Sequence, residues 1–448
     1  MTNTIRVIED IAEAERFLSR SRQIPTHLPT AVQERIRTVF GADLTPLQVV
    51  ERIIDDVRSQ GDDAVRRYTL AFDGIHLDTF LVSPEEFQRA RRAITPELEA
   101  ALRFARDRIE AFHRRAIPRS WIEFDETGAY GQLVRPVDRV GIYVPGGRAP
   151  LPSSLLMTAI PAQLAGVRDI VVCTPPSRDG TIAPAVLAAA ELLGIERVFK
   201  IGGAQAIAAL AYGTPTVPAV DIVAGPGNLF VVLAKRLVYG DVGIDQLPGP
   251  TETLLIADEQ ADPVLCAADL LAQAEHDPLA CAILITPART LAYKVVQELE
   301  RQLEQLDRSE IARAALEANG AIVIVPDLER AFDLANLFAP EHLCLLVRDP
   351  WHYLDRVRHA GGVFLGETSP EVIGDYTAGP SHVMPTGRTA RFASPVTVQT
   401  FLKVTSLVAV APKALEQLGS PALQLAMSEG LTAHAAAIEH RLERTRPD

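Results

Sequence analysis

The chain has 448 residues, 48% hydrophobic and 23% charged, enough for about two to four domains with buried cores. Its net charge of −13 argues against nucleic acid or an anionic membrane surface as a partner. Met1 to Arg20 mixes acids and bases without a signal-peptide core. The longest apolar run, Leu155 to Val167, contains Pro161 and Gln163 and falls short of the ~18 residues a membrane span needs. The expectation is therefore a cytoplasmic protein.

Residues 1 to about 120 read as helical, with few strand signals. Leu47 to Arg58 and Glu97 to Phe112 carry apolar residues at helical spacing. Each follows a Thr-Pro pair, Thr45-Pro46 and Thr95-Pro96, which supplies an N-cap and a proline at the first helical position. Short β-branched runs then alternate with Ala/Leu-rich helical stretches, the pattern of a parallel sheet covered by helices. The first set of predicted strands is Val140–Tyr143, Ile170–Cys173, Val198–Ile201 and Val220–Val223, with helices at Ala183–Leu193 and Ala204–Ala211. The second set is Leu254–Ala257, Ala282–Thr286, Ala321–Val325, Leu343–Val347 and Val363–Leu365. From about residue 396 the pattern turns helical again, ending in a helix near Ala422 to Arg441 and a locally basic tail, His440 to Arg446.

The fold class expected is α/β, two Rossmann-like parallel-sheet domains with helical N-terminal and C-terminal segments. The boundaries fall at 1–125 for the N-terminal segment, 126–248 and 249–392 for the two α/β domains, and 393–448 for the C-terminal segment. The cysteines, Cys173, Cys266, Cys281 and Cys344, form no Cys-x-x-Cys pair and read as buried small hydrophobes.

Glycines cluster where predicted strands end, in Pro145-Gly146-Gly147, Gly202-Gly203 and Gly225-Pro226-Gly227-Asn228. In open α/β sheets the ligand crevice lies at such strand ends, and a helix start there offers free N–H groups to a phosphate. The dinucleotide fingerprint is absent, because Phe230 stands where a further glycine is required. From these loops alone, glycines that simply make tight turns are the blander reading.

Four polar islands stand out. Glu341 and His342 are adjacent, a carboxylate beside an imidazole, the two groups best suited to moving protons near neutral pH. Gln273 and His276 fall i and i+3 in the last turn of a helix begun by Asp262-Pro263 and ended by Asp277-Pro278. Asp375 lies in a glycine-flanked loop, and Ala378-Gly379-Pro380 turns the chain towards His382. Glu429 and His434 flank Gly430 in the C-terminal helical region, and a helix-interior glycine marks a boundary or a close backbone approach there. Each island has a bland reading: a solvated loop, a dipole-stabilised histidine, a turn-capping aspartate, a solvated helix face. Together they read as a mixed N/O metal site with an acid/base pair, in which Gln273, His276, Asp375 and His434 suit zinc. No His-Glu-x-x-His and no Gly-x-Ser-x-Gly is present to support a metalloprotease or a serine hydrolase.

Over most of its length the chain resembles the histidinol dehydrogenase family. The matching stretches are Gly141-Ile142-Tyr143-Val144-Pro145-Gly146-Gly147, Gly202 to Leu210, Gly225 to Asn228, Gln273 to His276, Ala339 to Leu343, Gly374-Asp375-Tyr376 and Glu429 to His434. The resemblance implies oxidation of L-histidinol to L-histidine with two NAD through a bound aldehyde. It implies one zinc per subunit on Gln273, His276, Asp375 and His434, and Glu341 and His342 as the acid/base pair. Thr251, His382 and Glu429 fall at substrate contacts, beside the ligands and His342, and Tyr143, Gln205 and Asn228 at NAD contacts, which puts the cofactor on the first α/β domain. It further implies a homodimer in which the C-terminal segment completes the partner's site. Thr251 stands where serine is common and Ser381 where asparagine is usual. Those departures keep open a relative acting on another small alcohol; a metal-dependent hydrolase or a non-catalytic metal-binding protein are further alternatives.

Overall fold

The computed structural model describes residues 4–19, 28–146 and 150–445. Gly147 of the first glycine cluster, Arg446 of the basic tail, and Met1 to Asn3 and Arg20 of the N-terminal stretch lie outside the described residues. In chain order the strands are β1 (Arg6–Ile8), β2 (Trp121–Asp125), β3 (Gly128–Pro136), β4 (Arg139–Tyr143), β5 (Asp169–Thr174), β6 (Val198–Lys200) and β7 (Ile222–Ala224). They continue as β8 (Gly243–Ile244), β9 (Glu252–Ala257), β10 (Cys281–Thr286), β11 (Ala321–Ile324), β12 (His342–Leu346), β13 (Gly362–Leu365) and β14 (Leu402–Val410). The chain forms two compact units, Met1–Ala116 with Asp138–Phe401, and Ile117–Val137 with Leu402–Asp448.

The larger unit holds two all-parallel sheets, ordered β6-β5-β4-β7-β8 and β1-β11-β10-β9-β12-β13. Leaving out β1, each sheet is wound alike: the first strand in sequence is central, two follow on one side and two on the other. Both sheets therefore reverse direction of winding at one place, between β4 and β7 and between β9 and β12. Every residue of β9, β10 and β12 is buried, which is why these strands appear in sequence as continuous apolar runs. Alternate side chains feed opposite faces: Leu255 and Leu284 pack with Leu299 on one, Leu254, Ile283 and Leu345 with Phe332 on the other.

The helix Pro46–Gln60 lays Val50, Ile53 and Val57 on the first sheet's core, and its start is fixed by a Thr45/Gln48 capping box with proline at the first position. The helix Pro96–His113 begins the same way, on Thr95. All four cysteines are free and buried, as their apolar surroundings imply. The apolar run at Leu155 forms the buried helix Pro152–Ala165, and among the described residues no helix is long and apolar enough to cross a membrane.

Several elements depart from the sequence reading. The N-terminal region supplies β1, whose Arg6–Ile8 pairs with Ala321–Val323 at a sheet edge; three residues are too few to show a period. The strand expected at Val220–Val223 is Ile222–Ala224, and the Asp221 carboxylate just before it accepts from the N–H groups of Asp138 and Arg139. The smaller unit contains an antiparallel sheet, β14-β3-β2, where the sequence reading has helix or boundary. Leu402 pairs with Pro136 and Val410 with Gly128 at the two ends of that ladder. Most of β14 and all of β2 are exposed, so neither carries the in/out alternation by which a half-buried strand is recognised. The C-terminal helix is two helices, Leu415–Ser428 and Thr432–Thr445. Between them Gly430 takes φ of 73°, the boundary its position implied.

Candidate active site

Glu341 and His342 sit where β12 begins. The preceding helix, Leu328–Phe338, ends on Ala339 in the left-handed conformation at φ 54°, a posture that costs a residue with a Cβ about 1 kcal/mol or more. Pro340 follows, so the helix cannot continue. That turn delivers both side chains to a buried cluster at the amino ends of β9 and β12. Glu341 Oε2 accepts from Thr251 Oγ1 at 2.7 Å and from the Glu252 N–H at 2.9 Å, and lies 3.6 Å from His342 Nδ1.

His342 Nδ1 is 3.0 Å from the Glu252 carbonyl oxygen, which can only accept, so this nitrogen carries the proton. Gln273 Nε2 also lies 3.1 Å from it, but donates to Thr251 Oγ1 at 2.6 Å. In the neutral ring His342 Nε2 then keeps the lone pair; it is buried without a hydrogen-bond partner, 3.7 Å from Asp375 Oδ1. Burial raises the Glu341 carboxyl above its ordinary range, against the pull of His342, Thr251 and the Glu252 N–H. Burial works the other way on His342, but the carboxylates of Glu341, Glu371 and Asp375 outweigh it and favour the imidazolium. The cluster thus binds a proton firmly on His342, and the ring can accept a proton from another group only in its neutral form.

Gln273 is in the last turn of the helix Pro263–Ala274, while His276 lies beyond its end, with its N–H donating to the Gln273 carbonyl at 3.3 Å. The expected shared helical turn is therefore cut short: Glu275 is already the cap. Asp375 is in a short helix, Glu371–Tyr376, instead of a loop. His276, His342 and His382 all act on the charge of Asp375; despite burial, they and the His342 contact hold its carboxyl low. Gln273 offers a carbonyl oxygen that no hydrogen bond uses, His276 an imidazole, Asp375 a carboxylate, a donor set suited to borderline zinc. Among the described residues no three His, Cys, Asp or Glu side chains converge on a metal position by themselves. In this unit the set has two such residues and a glutamine.

His382 is buried and kept neutral by burial, against the opposing pull of Asp375. Its Nδ1 donates to the Asp375 carbonyl at 2.7 Å, so the Ser154 hydroxyl, 3.1 Å from Nε2, is the donor there. Sequence reasoning missed Ser154; the only signal was Pro152-Ser153-Ser154 opening a helix. It missed Glu371 too, a carboxylate that burial pushes up to about 7 and that accepts from Thr253 Oγ1 at 2.5 Å. Thr251 bridges Gln273 and Glu341 through its hydroxyl, so its methyl group changes no hydrogen bond. The Ser381 hydroxyl donates to the Met157 carbonyl and accepts from the Val383 N–H.

Tyr143, Gln205 and Asn228 line one cavity of about 610 Å³ at the carboxyl ends of β4 and β7, where the first sheet reverses winding. Tyr143 closes β4 and its hydroxyl accepts from the Gly203 N–H at 3.2 Å. Gln205 is buried in the first turn of the helix Gly203–Tyr212. Asn228 caps the helix Leu229–Val238, accepting from Phe230 and Val231. The turn before it is braced from beneath: buried Lys235 donates to the Gly225 carbonyl at 2.9 Å and pairs with Asp245, which accepts from the Gly225 N–H. Gly225 has φ of 109°, and a Cβ there would lie 2.1 Å from the Tyr143 carbonyl oxygen. Gly225→Ala is expected to cost about 3 kcal/mol, read as a lower denaturation midpoint; an unchanged midpoint would contradict this account of the turn.

The larger unit thus brings together Thr251, Gln273, His276, Glu341, His342, Asp375 and His382, and gathers Tyr143, Gln205 and Asn228 around a separate cavity. Glu429 and His434 belong to the smaller unit, Glu429 capping one helix and His434 in the first turn of the next.

The family model for histidinol dehydrogenase matches residues 42–442. The chain belongs to the histidinol dehydrogenase family. It is 56% identical to the histidinol dehydrogenase of Deinococcus radiodurans over 96% of this chain and 99% of that one. Identity to the enzyme of Thermus thermophilus is 51%, over 89% and 95% of the two chains. The crystal structure of histidinol dehydrogenase from Elizabethkingia anophelis superposes with a TM-score of 0.90, at 35% identity and 99% coverage of both chains. Family membership makes this chain an oxidoreductase.

Proposed function

We propose that this chain oxidises L-histidinol to L-histidine with two NAD and one water, the alcohol passing through a bound aldehyde. The observation that carries the reading is the open Nε2 of His342. A buried imidazole is fixed in one tautomer by the Glu252 carbonyl and backed by a second carboxyl, Glu341. In the first oxidation the neutral form of His342 takes the hydroxyl proton at Nε2 as hydride leaves the carbinol carbon for the nicotinamide. Glu341 then takes a proton from the water that adds to the aldehyde, while His342 gives its proton to the carbonyl oxygen, which forms the hydrate and returns the ring to its neutral form. His342 removes the proton of the resulting hydrate as the second hydride leaves, and the carboxylate is formed.

Gln273, His276, Asp375 and His434 would hold one zinc ion. Bound there, the metal supplies Lewis-acid templating of the substrate's imidazole and amine nitrogens, with no redox change of its own. Thr251, His382 and Glu429 complete the substrate contacts, Glu429 offering a carboxylate to the ammonium group. Tyr143, Gln205 and Asn228 receive NAD in their cavity. Glu429 and His434 sit on the smaller unit, whose Phe124, Val408 and Leu425 are 82%, 67% and 63% exposed. Large apolar side chains left open on so small a unit support a homodimer in which this unit completes the partner's site. A fully active monomer in sedimentation would overturn that arrangement.

The deciding experiment is NADH release from zinc-loaded protein given L-histidinol and NAD, with histidine quantified and a chelated control. Two NADH per histidine, lost on chelation and restored by zinc, is expected. No NADH from histidinol, in folded and metal-bound protein, would move the reading to a family relative with another alcohol substrate.

A further inference from the structure

Asp73 breaks a local rule without an internal reason. It is the last residue of the helix Asp62–Asp73, where the macrodipole disfavours an anion, and Gly74 ends the helix in the left-handed conformation. Its Oδ2 is buried and has no hydrogen-bond partner. The nearest cation does not satisfy it: Arg35 spends Nε and Nη2 on the carbonyls of Ala71 and Phe72, at 2.9 and 3.4 Å. Burial pushes the carboxyl up to about 6, opposed by Arg35, which still leaves it mostly ionised at neutral pH.

This carboxylate forms part of the wall of the cavity that holds Tyr143, Gln205 and Asn228. Val49, Ile53 and Phe72 make an apolar surface beside it, and Gln205 contributes a second buried acceptor, Oε1, that also lacks a partner. Two acceptors without donors, next to an apolar slot, fit a ligand that carries a flat ring and adjacent hydroxyl groups. None of Gln273, Glu341, His342 and Asp375 lines this cavity. The half of a dinucleotide seated here is then the half that does not react.

We propose that Asp73 accepts the hydroxyl groups of the cofactor's adenosine ribose, and that its charge excludes a phosphate on the 2′ oxygen. Asp73 is in this sense the residue that selects NAD over NADP. The inference rests on the cofactor reading above. It draws on general chemistry, since a carboxylate only accepts and a vicinal diol supplies two donors. A 2′-phosphate would place about −1.5 to −2 charge against an anion. In this chain the carboxylate comes from a helix end that precedes the first sheet, with no glycine fingerprint beside it.

The test is calorimetric titration of the full-length protein with NAD, NADP and NAD lacking the adenosine 2′-hydroxyl. The wild type, Asp73→Ser and Asp73→Asn are compared, with circular dichroism as a control for folding. The wild type should bind NAD at least about tenfold more tightly than either analogue, as the loss of a charge-assisted hydrogen bond implies. In Asp73→Ser both preferences should shrink to within about threefold, and in Asp73→Asn the discrimination against NADP should fall. Equal wild-type affinity for NAD and its 2′-deoxy form overturns the inference with no variant needed. Unchanged preferences in folded variants overturn it also. No NAD binding by the wild type overturns the cofactor reading and this inference with it.

Discussion

Replacing Glu341 with glutamine is expected to leave alcohol oxidation within about tenfold of wild type and to slow aldehyde oxidation by about 10²–10⁴. The substitution is close to isosteric. A glutamine carbonyl oxygen can accept from Thr251 Oγ1 and the Glu252 N–H as Oε2 does now, so the geometry that holds His342 is preserved. What is lost is a group able to take a proton. Burial holds the Glu341 carboxyl above its ordinary range, closer to the pH at which a general base both remains ionised and binds a proton well. Only the step that adds water needs that base, because the alcohol's own proton goes to His342. The measurement is single-turnover NADH formation, begun separately from the alcohol and from the aldehyde. Equal losses in the two half-reactions would refute this division of labour.

The parallel-sheet core was legible from composition because β9, β10 and β12 are buried on both faces, and a strand buried on both faces is an unbroken apolar run. The exposed antiparallel sheet was not, since neither β2 nor β14 buries a face that would leave an alternating trace. The same contrast governs the candidate site. Residues whose chemistry is unusual for their setting, such as adjacent Glu341 and His342, can be singled out from sequence, and the family resemblance assigns them tasks. Residues that act through position cannot. The Glu252 carbonyl fixes the His342 tautomer with a backbone atom, and Ser154 meets His382 across 228 positions of chain. Asp73 carries no sequence signal of a ligand contact, since only the cavity beside it gives its carboxylate a task. Even Gln273 and His276, read from sequence as i and i+3 of one helix, do not share a helical turn, because the helix stops at Ala274.

Replacing His342 with asparagine should depress both half-reactions, each by about 10²–10⁴, with the loss confined to turnover. Asparagine can still present an N–H to the Glu252 carbonyl, where Nδ1 donates at 3.0 Å, so the side-chain contact from β12 to β9 is kept. It has nothing at the position of Nε2, the one ring nitrogen without a partner. Both the alcohol and the hydrated aldehyde must give up a hydroxyl proton as hydride departs, and the other imidazoles of the site have other tasks, His276 being a proposed metal ligand. His382 is committed at both nitrogens, donating from Nδ1 to the Asp375 carbonyl and accepting at Nε2 from Ser154. Asp375 is held low by its neighbours, which makes it a poor proton acceptor. Glu341 is spent on the water. Binding of histidinol, measured at equilibrium without NAD, should change by less than about threefold, since the lost atom acts only in the transition state. Aldehyde oxidation at the wild-type rate would remove His342 from the second step. A large loss of histidinol affinity, with turnover of the bound substrate intact, would recast His342 as a residue that binds and does not move protons.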